Sequence, residues 1–226
     1  MIGYFFDYKY FMSLTLLTSG TTKEPKQITH SWNYIDQCVH RSIKEIGLNS
    51  TDTVLDVFPA NTIAHYTVTA MPAFQSKAKF ISAKFEATEY IKMFNQYRPT
   101  YIALIPRHWE LLKESPLWSN WDMSSVRYMV TGSGPVYQPM IDDFINKGVK
   151  LVANWYGMTE QPPPVLVGYN SEKFDFNPKS GYTVEFADDG ECVINGFFTG
   201  DIFDVNGRKF LHRKVQPSSS ITWKNL

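Results

Sequence analysis

Apolar side chains recur along this chain at two spacings, and the switches between them mark its elements. Over residues 31–46, Trp32, Ile35, Val39, Ile43 and Ile46 fall on one helical face and the pattern stops at Gly47, which predicts an amphipathic helix with a glycine stop. Residues 86–97 and 139–147 read as further helices. Between them lie short runs rich in β-branched and aromatic residues: 13–17, 53–58 halted by Pro59, 101–105 halted by Pro106, 126–130 and 149–153. Such runs predict buried strands. Strands alternating with helices at this rhythm predict an α/β fold, a layered αβα core around a mainly parallel sheet.

From about Asn177 the pattern changes. Residues 182–186, 191–194 and 209–211 are short strand-like runs separated by Asp-Asp-Gly and Asn-Gly turns, the signature of antiparallel hairpins. The three prolines Pro162, Pro163 and Pro164 forbid a helix ahead of them. The expected organisation is an αβα core over residues 1–176 and a small β-rich subdomain over 177–226.

Composition narrows the class. Hydrophobic residues are 43% and aromatics 15% of the 226 residues, and the 22 basic residues balance the 22 acidic ones. That is a folded globular chain, with no net field to draw it to nucleic acid or an anionic membrane. Cys38 and Cys192 are far apart and lack metal-ligand spacing, so they are expected as free thiols in a reducing compartment. Asp7 and Lys9 interrupt the apolar N-terminus, which fails as a signal peptide, and no run has membrane-spanning length; the expected location is the cytoplasm.

Three constellations carry candidate chemistry. Thr18, Ser19, Gly20, Thr21 and Thr22, with Lys26 close behind, crowd hydroxyls and backbone N–H groups into a turn after a strand. Such a turn can cradle phosphate oxygens while Lys26 offsets their charge; it is not a Walker loop, and alone it also reads as a solvated turn. The run Trp155, Tyr156, Gly157, Met158, Thr159, Glu160 follows a predicted strand, at the sheet edge where open α/β folds bind ligands. Tyr156 offers an aromatic face to a purine, Thr159 a hydroxyl to phosphate and Glu160 an oxygen ligand to Mg²⁺. Thr199, Gly200 and Asp201 place a carboxylate that can accept from ribose hydroxyls, although a Gly-Asp pair is also a common turn.

In this order the three resemble the core motifs of the adenylate-forming superfamily of acyl-CoA synthetases, luciferases and peptide-synthetase adenylation domains. Residues 18–26 resemble its phosphate loop with Lys23 in place of the last glycine, Tyr156 to Glu160 match its Tyr-Gly-x-Thr-Glu motif, and Thr199 to Asp201 its Thr-Gly-Asp. Thr131 to Pro135 resemble its adenine-side turn. The resemblance implies binding of ATP or AMP with Mg²⁺. Residues 18–22 and Lys26 would hold the β- and γ-phosphates. Ser133, Gly134, Pro135, Trp155, Tyr156 and Gly157 would line the adenine side, Thr159 would meet the α-phosphate, Glu160 would bind Mg²⁺, and Asp201 with Arg213 would hold the ribose.

It also implies a function: activation of a carboxylic acid to an acyl-adenylate with release of pyrophosphate. The stretch from Phe58 to His65 resembles the segment flanking the family's acid pocket, where His65 is either a gate or substrate contact or a packed histidine. No aspartate lies between Phe58 and His65 to bind an α-ammonium, so an acyl or aryl acid is expected.

Family members carry a long region before the phosphate loop and a mobile C-terminal domain bearing a catalytic lysine. Both are expected to be absent, which implies adenylation without thioester formation, slow or assisted by a homo-oligomeric or separate partner chain. The competing class is a non-catalytic AMP/ATP-binding or interaction protein.

Overall fold

The computed structural model describes residues 13–18 and 26–214. The proposed phosphate-loop residues Ser19, Gly20, Thr21 and Thr22 lie outside this set. Strand β1 (Ser13–Thr18) pairs antiparallel with β2 (Lys26–Ser31), in a register running from Ser13 opposite Ser31 to Thr18 opposite Lys26. Only Leu14 and Leu16 of β1 turn inward, against Ile35, Val39, Ile63 and Met71, while Thr15 and Leu17 face outward. This strand is therefore half of a separate two-stranded ribbon, and not a buried strand of the main sheet.

Helix α1 (Trp32–Ile46) follows at once. Its N-cap Ser31 accepts the Tyr34 N–H at 3.2 Å, and its C-cap Gly47 sits at φ 63, the left-handed conformation in which glycine avoids a Cβ clash. Ile35, Cys38, Val39 and Ile46 form its buried stripe.

The main sheet has six strands in the order β4-β3-β5-β6-β7-β8. These are β3 (Thr53–Asp56), β4 (Lys79–Ser82), β5 (Tyr101–Ala103), β6 (Tyr128–Gly132), β7 (Val152–Tyr156) and β8 (Leu166–Tyr169). The first five neighbours run parallel, and β8 returns antiparallel to β7. Because side chains alternate across a strand, the sheet feeds two cores. Leu55, Ile102, Met129 and Val152 meet α3 (Ala87–Tyr97), α4 (Pro106–Lys113) and α5 (Gln138–Asn146) through residues such as Tyr90, Phe94, Leu112 and Phe144. Val54, Tyr101, Val130 and Trp155 meet Ile46 of α1, Val68 of a π-helical turn (His65–Ala70) and Ala73 of α2 (Met71–Gln75) on the other face.

A second sheet of β9 (Val184–Phe186), β10 (Glu191–Ile194), β11 (Phe197–Asp204) and β12 (Lys209–Arg213) is wholly antiparallel, in the order β12-β11-β10-β9. Asn195 and Gly196 turn between β10 and β11, both at positive φ, as a two-residue hairpin turn requires. Its core joins that of the main sheet: Cys192, Ile194 and Phe203 pack with Tyr156, Val165 and Leu166. Strands β2, β4, β8 and β11 and the helical segments at 65–75 and 106–113 are additions to the sequence expectation. β6 and β7 also lie two to three residues later than predicted. The shift of β7 has a local cause: Val149 still closes the end of α5, its N–H bonding to the Phe144 carbonyl at 3.1 Å.

One packing detail gives a pH prediction. His108 of α4 stacks on Phe85 with ring centroids 4.0 Å apart, and burial lowers its pKa from 6.5 to about 4. The unfolded chain then binds a proton between those values that the folded chain refuses. The contribution is therefore full above pH 6.5 and is lost as pH falls towards 4. Discounted for the ring's remaining exposure, it amounts to about 2 kcal/mol. Denaturant titrations at pH 7 and pH 4.5 should show His108→Phe losing less stability on acidification than the wild type. An equal loss in both proteins would refute the assignment.

Candidate active site

The turns at 133–135 and 157–160 leave the carboxyl ends of the parallel strands β6 and β7, and Asp201 of β11 is brought against Tyr156. Gly132 ends β6 opposite Trp155 in β7, and the two turns leaving these strands lie side by side. Both need glycine for close backbone approach. A Cβ on Gly132 would stand 2.2 Å from the Trp155 carbonyl oxygen, and one on Gly157 would stand 2.6 Å from the Pro163 nitrogen. Ser133, Gly134 and Pro135 continue the β6 turn and are exposed.

Tyr156, Asp201 and Arg213 form one cluster. The Tyr156 hydroxyl donates to Asp201 Oδ2 at 2.8 Å. Arg213 clamps the same carboxylate, Nε to Oδ1 at 2.6 Å and a terminal nitrogen to Oδ2 at 2.8 Å. Asp201 is only 3% exposed, so this bidentate clamp compensates a buried charge. Burial pushes the Tyr156 phenol far above its ordinary range, and the hydroxyl stays a donor. Hydrogen bonds to Asp201 raise the Arg213 guanidinium. Thr199 positions the turn: its hydroxyl donates to the Cys192 carbonyl at 2.8 Å and accepts the Asp201 N–H at 3.1 Å. Cys192 itself is inert packing, its thiol pushed up to about 12 by burial.

Beside this cluster, the β2 residue His30 donates from Nε2 to the Thr159 carbonyl at 2.6 Å. This bond ties the ribbon that leads out of residues 19–25 to the Thr159-Glu160 segment. Glu160 is half-buried, contributes to the negative field on Arg213 and makes no hydrogen bond to another described residue. Lys26, exposed at the start of β2, shares the ribbon with His30. Of the proposed phosphate loop, Lys26 and the backbone of Thr18 are described.

His65 stands apart. Its Nδ1 lies 2.9 Å from Oδ2 of Asp56, the last residue of β3, which is fully buried; Asp56 Oδ1 accepts from the Thr69 hydroxyl at 2.8 Å and the Phe58 N–H at 3.1 Å. Ala64 and Val68, from the same stretch of chain, line a narrow cleft that also takes in Val130, Ser133, Trp155 and Gly157. Trp155, proposed for the adenine side, lines this cleft together with Ser133 and Gly157. Adjacent strand residues face opposite ways, so Tyr156 points to Asp201 while Trp155 walls the cleft. The role of His30 escaped the sequence reading because its partner is 129 residues away, and that of Asp56 because no motif links it to His65. A wider surface cleft of about 390 Å³ lies at the far end of β8 beside Lys173 and Arg208. No motif residue lines it, so chemistry and not size assigns the site.

No group of three or more His, Cys, Asp or Glu side chains among the described residues is placed to hold a metal by itself. A lone carboxylate such as Glu160 still suits Mg²⁺, which binds through one or two carboxylates with substrate phosphates and water.

The sequence profile of the AMP-binding enzyme family matches residues 12–188. The chain belongs to this family. It is 24% identical to a feruloyl-CoA synthase of Amycolatopsis sp over 88% of the chain and 48% of that protein, so it spans about half the length of such a relative. Among solved structures it is similar to the N-terminal domain of FACL13 from Mycobacterium tuberculosis, with TM-score 0.75, 21% identity, and coverage of 88% of this chain and 60% of that one. It is likewise similar to the MenE O-succinylbenzoate coenzyme A synthetase of Bacillus subtilis in complex with ATP and magnesium ion, with TM-score 0.71, 20% identity, and coverage of 88% and 49%. The α/β architecture of an AMP-binding enzyme, mostly parallel sheet plus antiparallel sheet, is thus shared with these structures. No helix among the described residues is long and apolar enough to cross a membrane.

Proposed function

We propose that this chain activates a carboxylic acid, acyl or aryl, as an acyl-adenylate at the expense of ATP, releasing pyrophosphate. The observation that carries the reading is the buried Asp201 carboxylate, held by Tyr156 and Arg213 on the side of β7 where Thr159 and Glu160 emerge. A carboxylate accepts hydrogen bonds and a guanidinium donates them, which suits ribose hydroxyls. Mg²⁺, when bound, would offset phosphate charge. The chain's own part is positional: Tyr156 and residues 133–135 beside adenine, Asp201 and Arg213 at ribose, Thr159 at the α-phosphate, Glu160 at the metal. Residues 18–22 and Lys26 would hold the leaving pyrophosphate. Catalysis of this kind is mainly orientation and charge stabilisation. The division into a core over 1–176 and a β-rich unit over 177–226 belongs to the same proposal.

The names of the relatives agree with acid activation, and the nucleotide and magnesium of the MenE complex agree with the assigned cofactors. The other reading is a nucleotide-binding protein without turnover, which the Asp201, Tyr156 and Arg213 cluster would serve equally, since holding ribose needs no chemistry at phosphorus. Pyrophosphate exchange into ATP across a panel of carboxylic acids separates the two. Acid-dependent, Mg²⁺-dependent exchange is the expected result. Background exchange with intact AMP binding would make it a binding protein.

A further inference from the structure

The cleft next to the proposed adenylation site is closed by one side chain. It opens at Ser133 and Gly157, beside the turn that carries Thr159 and Glu160, and runs inward between Ala64, Val68 and Val130 to the indole of Trp155. Trp155 is 3% exposed and packs edge-on against Tyr128, ring centroids 6.4 Å apart. Tyr101 and Ala153 lie in the same cluster, leaving the indole no space to retreat along the sheet. The free volume in front of it is about 30 Å³, about a single water's share of the liquid. The walls are mainly apolar. Ser133 sets a hydroxyl at the mouth, the Thr131 hydroxyl donates to Met140 Sδ at 3.9 Å, and no charged side chain lines the space.

We propose that Trp155 is the specificity-determining residue of this site and that the acid it admits is a short, uncharged aliphatic acid of the acetate or propionate kind. This rests on the adenylation reading above. An acid whose carboxylate reaches the α-phosphate near Thr159 must put its tail into this cleft. A methyl or ethyl group fits the space in front of the indole. An aromatic ring or a long chain does not, unless the packed tryptophan moves. A close-packed core resists such movement, because inserted groups force side chains off their rotamers. The aryl alternative is thereby set aside for the wild-type chain, although the feruloyl-CoA synthase relative is named for an aryl acid.

The test uses the whole chain and two readouts. Calorimetry measures binding of two non-reactive adenylate mimics, propionyl- and benzoyl-sulfamoyl adenosine. Pyrophosphate exchange is measured with acetate, propionate, hexanoate and benzoate. Both are run on wild type, Trp155→Leu and Trp155→Ala. The wild type should prefer the propionyl mimic by about 100-fold or more, since even one misfitting methylene is worth roughly 10- to 200-fold. Trp155→Leu should narrow that preference at least about tenfold by gaining the benzoyl mimic. If neither variant folds, as judged by circular dichroism, the wild-type preference decides alone. Equal binding of the two mimics by the wild type would overturn the assignment of Trp155 and leave adenylation standing. Failure of the wild type to bind either mimic would overturn both.

Discussion

Asp201→Ala is expected to cost the folded chain about 3 kcal/mol and to weaken AMP binding by roughly 10- to 100-fold. The two losses have different origins. Removing a buried carboxylate takes from the Arg213 guanidinium and the Tyr156 hydroxyl the acceptor they share, and breaking such a pair from one side typically costs about 3–5 kcal/mol. Arg213 is partly exposed and can reach water, which places the expectation at the lower end. Loss of the acceptor for ribose hydroxyls adds about 1–3 kcal/mol to the binding free energy, a range that brackets the stated fold-change. Denaturant unfolding reports the first effect, and calorimetry on the folded fraction reports the second. Asp201→Asn keeps one acceptor oxygen and should fall between wild type and alanine in both. Unchanged AMP affinity in a folded Asp201→Ala protein would remove the ribose assignment, whatever happened to stability.

Much of this fold is legible locally. Helix α1 announces both of its ends through Ser31 and Gly47, because a hydroxyl that accepts an N–H and a glycine at positive φ solve problems intrinsic to any helix. The elements that were not legible owe their form to what they pack against. Residues 65–75 begin with His65, Tyr66, Thr67, Val68 and Thr69, a run of weak helix formers. They coil because Val68, Ala70, Met71 and Ala73 are buried there. Strand β11 contains Gly200 at φ 76, within a hairpin whose register shifts between Glu191 and Val193. A bulge of this kind reads in sequence as a turn, and Thr-Gly-Asp alone does so.

The site divides in the same way. Tyr156, Thr159, Glu160 and Asp201 read locally as candidate chemistry, the resemblance to family motifs joins them and adds Arg213, and the structure brings Tyr156, Asp201 and Arg213 into direct contact across separations of 45 and 12 residues. The partnerships of His30 with Thr159, 129 residues away, and of His65 with Asp56 have no motif to announce them. Trp155 shows the limit of motif reading. Its neighbour Tyr156 carries the family signature, and only the alternation of side chains along β7 reveals that the two serve different spaces.

Glu160→Gln and Lys26→Ala should lower pyrophosphate exchange by about 10²- to 10³-fold while leaving AMP affinity within about threefold. The first figure is the usual cost of deleting one electrostatic stabiliser of developing charge. The asymmetry follows from where the charges sit. In the proposed arrangement Glu160 serves the metal and Lys26 the departing pyrophosphate, and AMP carries neither the β- nor the γ-phosphate through which either would act. Contacts that strengthen as charge develops on the departing pyrophosphate change turnover and spare the binding of a nucleotide without those phosphates. Glu160 is suited to this separation, since it makes no hydrogen bond to another described residue that its loss would strand. Glutamine also preserves its bulk, so thermal stability should hardly move. Exchange and AMP calorimetry must be run side by side on the same preparations. Parallel losses of exchange and AMP affinity would mean that Glu160 and Lys26 hold the adenosine half or the local fold. Exchange in both variants equal to that of an active wild type would remove them from the chemistry altogether.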